Sequence, residues 1–504
     1  MRSALSICNR FLLRPAPPAR PVLWRRLFLL AMSGFVLAAC SGTPLKPAVK
    51  LSPAYQQGAA ATAAINGNWW QVFQDPVLDQ LIARGLAGNH DARLALARVQ
   101  QARAGTTAAQ SRLLPSLALT GSQADNRSGL PAPFKNGSPD TESTRVALDL
   151  SWELDLFGAA RTARRAAGRD LLAAEAGIDG TRLLVSSEIA RQYFILRGAR
   201  ERLLLLNDIV ATLRKTEELT RKRFAAGMAS ELDVELASGE RLNTEALQPP
   251  LQTLVVATQA RLAVLMGQDP SLPDTVPAST LGEWPDPGPV APGQPAELLA
   301  RRPDLRAAEQ QLAAESDRLQ EARLNYLPKF FLNAVFGGQD LTLNSIALAP
   351  VRYSNVALAF SAPLFNGRVR AGIEAQTARE QQALIHYEKL ILTAVEEVEV
   401  SLAALNDERR RSGLLTAVAA ARHKALRHGE SLYRAGQIDL LQLQTLQRAT
   451  LAADQSLVES EAQRALNTIQ LHKALGGSWQ TPATKPANVT PANVTPAIQT
   501  STQS

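Results

Sequence analysis

The side chains that most often carry chemistry are scattered in this sequence. Five histidines (His90, His386, His423, His428, His472) are spread along it, and the closest two, His423 and His428, miss the spacing of helix neighbours. After residue 40 only Met228 and Met266 remain of the methionines, so no methionine-rich metal relay is visible. Carboxylate pairs such as Glu396-Glu397 fall in helical patterns, where a solvated face is the default. GxSxG, P-loop, GxGxxG and CxxC patterns are absent. The residues point to no enzyme, no metal and no cofactor. What does stand out is an alternation in which apolar residues fall on every second position and the residues between are small or polar. Ala147, Asp149, Ser151, Glu153 and Asp155 alternate with Val146, Leu148, Leu150, Trp152, Leu154 and Leu156. A period of two with one greasy and one wet face describes a strand whose sides meet different media. Asp149, Ser151, Glu153 and Asp155 are the candidate lining of an aqueous lumen, with Trp152 and its neighbours facing outward.

A second position with chemistry is Cys40. Residues 1–39 hold six arginines and no acid, and an apolar run, Leu27 to Ala39, leads into Leu37-Ala38-Ala39-Cys40. A basic segment, a short apolar core and small residues before a cut site describe a secretory signal over 1–39. A cysteine directly after Leu-Ala-Ala resembles the lipobox of bacterial lipoproteins, which implies a covalent lipid on Cys40. The net charge is +8, and the six leader arginines account for all but +2 of it. The basic excess therefore belongs to the leader, and a nucleic-acid partner is not expected. The other cysteine, Cys8, lies in the leader, so no disulfide is expected downstream. No later run of 18 apolar residues exists, which excludes a spanning helix.

These residues must be positioned by elements that occur twice. Residues 40–64 are small and polar and read as a lipid-anchored tether. The first repeat spans 65–267, with a short helix near 77–87 and another over 89–113. Strands follow at about 115–124 and 144–156, then long helices at about 158–226 and 230–266. Ile189, Leu196, Leu203 and Val210 recur every seven residues, a coiled-coil period. A helix of some 70 residues is about 100 Å long. Gly168, Gly177, Gly180 and Gly198 are places where it could be interrupted, and Pro249-Pro250 must break the helix after it. A proline-rich linker, 268–303, leads to the second repeat, 304–477. It has strands at about 329–338 and 352–364 and long helices at about 366–435 and 438–475. Asp91 matches Asp304 at an offset of 213, Phe157 matches Phe365 at 208, and Gly227 and Gly267 match Gly436 and Gly476 at 209. The chain is a tandem duplication of helix, strand, strand, long helix, turn, helix. Residues 478–504, with PANVT twice, read as a disordered low-complexity tail.

Four strands cannot close a barrel, and an open sheet edge cannot sit in lipid. If the strands cross a membrane, several copies must pool them: two copies give eight strands, three give twelve and an open channel.

The lipobox, WW-x-x-F-x-DP, WELDLFG, RFAAGMASELDV, RRPDLR, SAPLFNGR, YRAGQIDLLQL and ALGG together resemble the outer membrane efflux protein family. The likeness is to its NodT-type and OprM-like lipoproteins, which serve resistance-nodulation-division pumps and are relatives of TolC. It covers nearly all of residues 40–479. It implies a mainly α fold with a small transmembrane β part: a homotrimer with a twelve-stranded barrel in the outer membrane on a periplasmic helical barrel. Implied partners are a periplasmic adaptor, an inner membrane pump and outer membrane lipid. The implied function is a passive exit duct for drugs or other small toxic compounds. A type I protein-secretion channel and a structural envelope lipoprotein without a pore are the alternatives.

Two further sites follow from the likeness. The helix-turn-helix tips, with Gly227, Met228 and Ser230 in one and Gly436 and Gln437 in the other, are expected to dock the adaptor. In related channels the helix after the second tip narrows the periplasmic end, and a family pattern resembling LLDAQR places an acid where Thr445 stands here. Leu441, Thr445 and Arg448 share a helical face, and without the acid three copies of Arg448 would make a positive constriction.

Overall fold

In the computed structural model the described residues are 45–57, 68–127, 140–271, 283–288, 290–343 and 346–477, with the single positions 129, 131 and 276. The leader, Cys40, residues 58–64 of the tether and the 478–504 tail lie outside them. From Lys46 onward the chain forms one unit.

The first copy begins with a 3-10 turn, Trp69–Phe73, and helix α1, Pro76–Gly88. Asp75 caps α1 by accepting from the N–H groups of Val77 and Leu78, while Pro76 takes the position where a helix needs no N–H. Helix α2 is His90–Ser111, capped by Asn89. Strands β1, Ser116–Asn126, and β2, Thr141–Leu154, follow. Helix α3, Ala159–Ala225, has 67 residues and runs through Gly168, Gly177, Gly180 and Gly198 without a break. Tertiary packing on both sides outweighs the ~1 kcal/mol helix penalty of each glycine. Helices α4, Glu231–Glu245, and α5, Gln248–Leu265, return along it. Pro249 and Pro250 sit in the first turn of α5, so the break falls just before them, where their missing N–H groups cost least.

The short α6, Leu298–Arg301, precedes α7, Pro303–Leu324. Then come β3, Lys329–Leu343, the two-residue β4, Ile346–Ala347, and β5, Val351–Ser361. Helix α8, Gly367–Arg434, has 68 residues, and α9, Leu440–Ala474, has 35, unbroken where the first copy breaks into α4 and α5. The duplication is thus visible element by element: α2 and α7, β1 and β3, β2 and β5, α3 and α8, α4–α5 and α9.

All strand pairs are antiparallel, in the order β1-β2-β3-β5, with β4 pairing the far end of β3. The lower ends of the four main strands all join helices, and the upper ends join loops.

The helices are held together midway by two cores. One gathers Trp69, Phe73, Leu78, Ile82, Ile189, Phe194 and Leu262; the other gathers Leu305, Ile391, Val398, Leu405, Leu471 and Leu475. Ile189, Leu196 and Val210, three of the heptad positions, are buried. The helix ends meet through glycine: a Cβ on Gly88 would stand 2.4 Å from the carbonyl oxygen of Met266. Arg302 of the RRPDLR motif, only 8% exposed, ties three helices. It donates to Asp304 (2.7 Å), to Glu397 (2.6 Å) and to the carbonyl of Ala474 (3.0 Å).

Part of the expected tether is not free. Ala48 N–H donates to Glu388 and Gln56 N–H to Glu399, at 2.8 and 2.7 Å, so this segment lies along α8. Tyr55 is buried in the second core, and burial pushes its hydroxyl pKa up to about 12. The segment reads as a tether because it is small and polar; one tyrosine and the carboxylates of α8 fix it.

His472 is 2% exposed and stacks on Trp69 at 5.7 Å. Burial pushes its pKa from 6.5 down to about 4. The folded state therefore refuses a proton that the unfolded chain takes up below pH 6.5. Stability is unaffected above pH 6.5 and falls as pH drops towards 4, by up to about 3 kcal/mol. Urea unfolding followed by circular dichroism from pH 8 to 4 should show this loss in the wild type and its reduction in His472→Leu.

Candidate functional site: channel wall and periplasmic tips

In an antiparallel pair, directly opposite residues share a face. Ser151 faces Ser116 on β1 and Asn333 on β3, and Asp149 faces Ala118 and Val335. This side of the curled sheet is the more covered one along β2 and is polar: Thr120 donates to Asp149 (2.5 Å), Ser151 to Asn333 (3.1 Å), and Lys329 pairs with Glu153 (3.3 Å). Higher up, the Arg145 guanidinium lies 5.0 Å from the Tyr353 ring. Asp149, Ser151 and Glu153 are thus brought together on one polar face.

Asp155 is not part of it, and the lumen assignment for this residue is corrected. The strand ends at Leu154, two residues short of the expected end. The Asp155 carboxylate turns back to accept from the N–H groups of Ala160 and Arg161 and from the Arg161 guanidinium. Gly158, the residue before α3, has no side chain to do this, so Asp155 satisfies the helix start instead. The alternating pattern runs on past the strand because both roles call for an acid.

The opposite face is apolar without interruption. Leu117 and Leu119, then Val146, Leu148, Leu150, Trp152 and Leu154, then Phe330, Leu332 and Phe336, then Val356, Leu358 and Phe360 all share it. Phe360 is 74% exposed and Leu119 73%. The stretch from Val146 to Leu154 measures about 27 Å along the strand. Above it come Glu142, Thr144, Asp340, Thr342 and Arg352. At its lower edge Trp152, Phe157, Phe330 and Phe360 form an aromatic rim, with Phe157–Phe330 and Phe330–Phe360 centroids 6.5 and 6.3 Å apart. An outward apolar band, aromatic at its edge and polar on its other face, is the signature of an outer membrane strand.

At the far end of the long helices the two tips are built alike. Gly227 (φ 74°) and Gly436 (φ 70°) take the left-handed conformation that ends a helix with its last carbonyls satisfied. The N–H of Met228 donates to Arg223 and that of Gln437 to Leu432, both at 2.9 Å or less. Ser230 caps α4 in a reciprocal box with Asp233, and Asp439 caps α9. Met228 is 72% exposed. The structure places Gly227, Met228, Ser230, Gly436 and Gln437 at these reversals.

Each hairpin carries a cross-brace at the same position of the repeat: Arg214–Glu245 (3.1 Å) in the first and His423–Asp454 (2.9 Å) in the second. Burial raises the pKa of Asp454. Glu217 accepts from Arg221 and Arg241, and these hydrogen bonds hold its carboxyl below the usual range. The first hairpin meets the second where Arg223 stacks on the Tyr433 ring, 4.7 Å away.

Leu441 and Thr445 are exposed on one face of α9, and the Thr445 hydroxyl donates to the Leu441 carbonyl. Arg448 lies on the same helix, and although Thr445 stands where the family pattern has an acid, another acid lies beside the guanidinium. Its Nε stands 3.5 Å from a carboxylate oxygen of Glu240, on α4. Sequence reasoning missed Glu240 because it sits in the other copy of the repeat. The only signal was the acidic run Glu231, Asp233, Glu235, Glu240 on α4, which has no counterpart on α9.

An apolar and a polar strand face on a duplicated chain, joined to paired helices of about 100 Å, define an outer membrane channel subunit. A profile of the outer membrane efflux protein family matches residues 81–268 and 295–477, and the chain belongs to that family. It is 31% identical over 468 residues to the pyoverdine export outer membrane protein OpmQ of Pseudomonas putida, covering 90% of this chain and 98% of that protein. To the outer membrane protein OprJ of Pseudomonas aeruginosa it is 31% identical over 460 residues, covering 88% and 94%. Among solved structures, the outer-membrane channel OprN superposes with a TM-score of 0.79 at 28% identity, over 88% of this chain and all of that one. The chain is an outer membrane efflux protein.

The two strand faces make a sharp prediction. Leu150→Arg should cost about 2–4 kcal/mol in the membrane and lower the amount of inserted protein. Ser151→Arg, one residue on and facing the other way, should leave insertion near wild type. Heat-modifiable protein in isolated outer membranes measures both.

Proposed function

We propose that three copies of this chain pool their strands into a twelve-stranded barrel and their long helices into a periplasmic tunnel. The assembly is a passive exit duct for drugs or other small toxic compounds. The single observation that carries this reading is the sheet itself: greasy outside, wet inside, open at both edges and continuous with the long helices. Energy comes from an inner membrane pump, and a periplasmic adaptor docks at the tips around Gly227-Met228 and Gly436-Gln437. The family of the chain supports that assignment, as does the name of its relative OpmQ, which exports pyoverdine. Cys40 carries a lipid that adds to the hold of the barrel, each buried methylene contributing about 0.8 kcal/mol. The relative SilC of Salmonella typhimurium, a probable outer membrane lipoprotein and 25% identical over 472 residues, supports this.

The periplasmic end is narrowed by the face of α9 that bears Leu441 and Thr445, and the Arg448–Glu240 pair holds α9 against α4 in that position. The constriction is therefore less positive than three bare arginines would make it.

Three outcomes test this reading. Purified protein in planar bilayers should show stepwise conductance, and silent bilayers would contradict a pore. Arg448→Ala and Glu240→Gln should each raise the conductance, and the double variant should add little to either, because both break one tie. Mass spectrometry of the mature N-terminus should find acylated Cys40.

A further inference from the structure

The charged side chains on the polar face of the main strands are Arg145, Asp149, Glu153 and Lys329, and they stand at three heights. Lowest are Glu153 and Lys329, which neutralise each other at 3.3 Å. Asp149 comes next and accepts from the Thr120 hydroxyl. Highest is Arg145, directly opposite Ser122 on β1 and Gln339 on β3. Among the described residues Arg145 has no ion pair and no hydrogen bond; its partner is the Tyr353 ring, 5.0 Å from the guanidinium carbon. Asp149 lies four residues down the same strand, about 13 Å away. That exceeds the screening length of about 8 Å at physiological salt, so the two charges do not cancel.

The contact between Arg145 and Tyr353 is built into the sheet. Arg145 leaves β2 and crosses β3 to reach a ring on β5, two strands or about 10 Å away. The floor beside this crossing is bare, because β3 presents Gly337 opposite Ala147 on one side and Tyr353 on the other. A Cβ at Gly337 would stand 2.6 Å from the Val146 carbonyl oxygen and 2.8 Å from the Ala147 Cβ, so no larger residue fits there. The Nε of Arg145 and the Tyr353 hydroxyl are both buried, and neither has a hydrogen-bond partner among the described residues. Two buried polar groups without partners, beside an unpaired cation on an aromatic ring, mark a place where an anion is favoured.

We propose that Arg145 and Tyr353 form a lumen site for solutes that carry a carboxylate on a planar ring. The guanidinium fork matches the carboxylate, and the Tyr353 ring beside it stacks on the planar part. A small anion without a ring gains only the charge, and a neutral ring gains only the stacking. With Asp149 below it, Arg145 also makes the upper lumen positive and the middle negative. The proposal rests on the exit-duct reading above and names a class of solute that the duct favours.

Planar bilayers containing the full-length protein separate charge from stacking. The probes are benzoate, acetate as the anion without a ring, and benzyl alcohol as the ring without a charge, each added to both sides. In the wild type benzoate should halve the current at a concentration at least about threefold below that of acetate, and benzyl alcohol should leave the current unchanged. Arg145→Gln should abolish the benzoate advantage and move the reversal potential in a potassium chloride gradient towards cations. Asp149→Asn should move it towards anions. Tyr353→Leu should keep the wild-type reversal potential and lose the benzoate advantage, and Tyr353→Phe, which keeps the ring, should restore that advantage. Equal block by benzoate and acetate in the wild type overturns the site. So does a benzoate advantage that survives in both Arg145→Gln and Tyr353→Leu, or a reversal potential unchanged by Arg145→Gln. In each of these cases the conductance itself leaves the duct standing, whereas silent bilayers remove the duct and the site together.

Discussion

The constraint on which the rest depends is that backbone polar groups have no partner in lipid. A row of unpaired N–H and C=O groups on β1 and on β5 is tolerable in water and costs several kcal/mol per group in a bilayer. The outward face of the same strands, from Leu117 to Phe360, has the opposite preference. One chain cannot satisfy both demands, since its sheet presents the membrane surface and the open edges together. Only further copies of the same sheet can, and the internal duplication means that the edge left open is a strand of a kind the chain already pairs.

The long helices follow from this arrangement. Each strand hairpin delivers its second strand into a helix of 67 or 68 residues, α3 or α8, and the returning helices bring the chain back to the middle. The two cores and the Arg302 node sit there, in the middle of the helices, and a smaller apolar cluster of Ala237, Tyr433, Leu440 and Leu443 lies near the tips. Beside that cluster, charge and stacking brace the tips, through Arg214–Glu245, His423–Asp454, Arg448–Glu240 and Arg223 over the Tyr433 ring.

Much of this was legible in the sequence because the relevant signals are periodic and repeated. The period of two on β2, the heptads on α3 and the offsets of 208, 209 and 213 fix strands, helices and duplication to within a few residues. The misses have a common cause. Asp155 continues an alternating pattern after the strand has stopped, because a helix start also favours an acid. Residues 46–57 look like a free tether, and only the carboxylates of α8, more than 300 residues away, show that they lie along it. Glu240 finds Arg448 across the two copies of the repeat. Local pattern reveals an element; it does not reveal which distant side chain an element meets.

The central claim is that the sheet is completed by copies of itself, and the mass of the intact assembly tests it most directly. Native mass spectrometry of the protein extracted from the outer membrane in mild detergent should give three times the mass of the single mature chain, without smaller species at the same detergent concentration. A stable single chain, with its strand content unchanged by circular dichroism, would contradict the account.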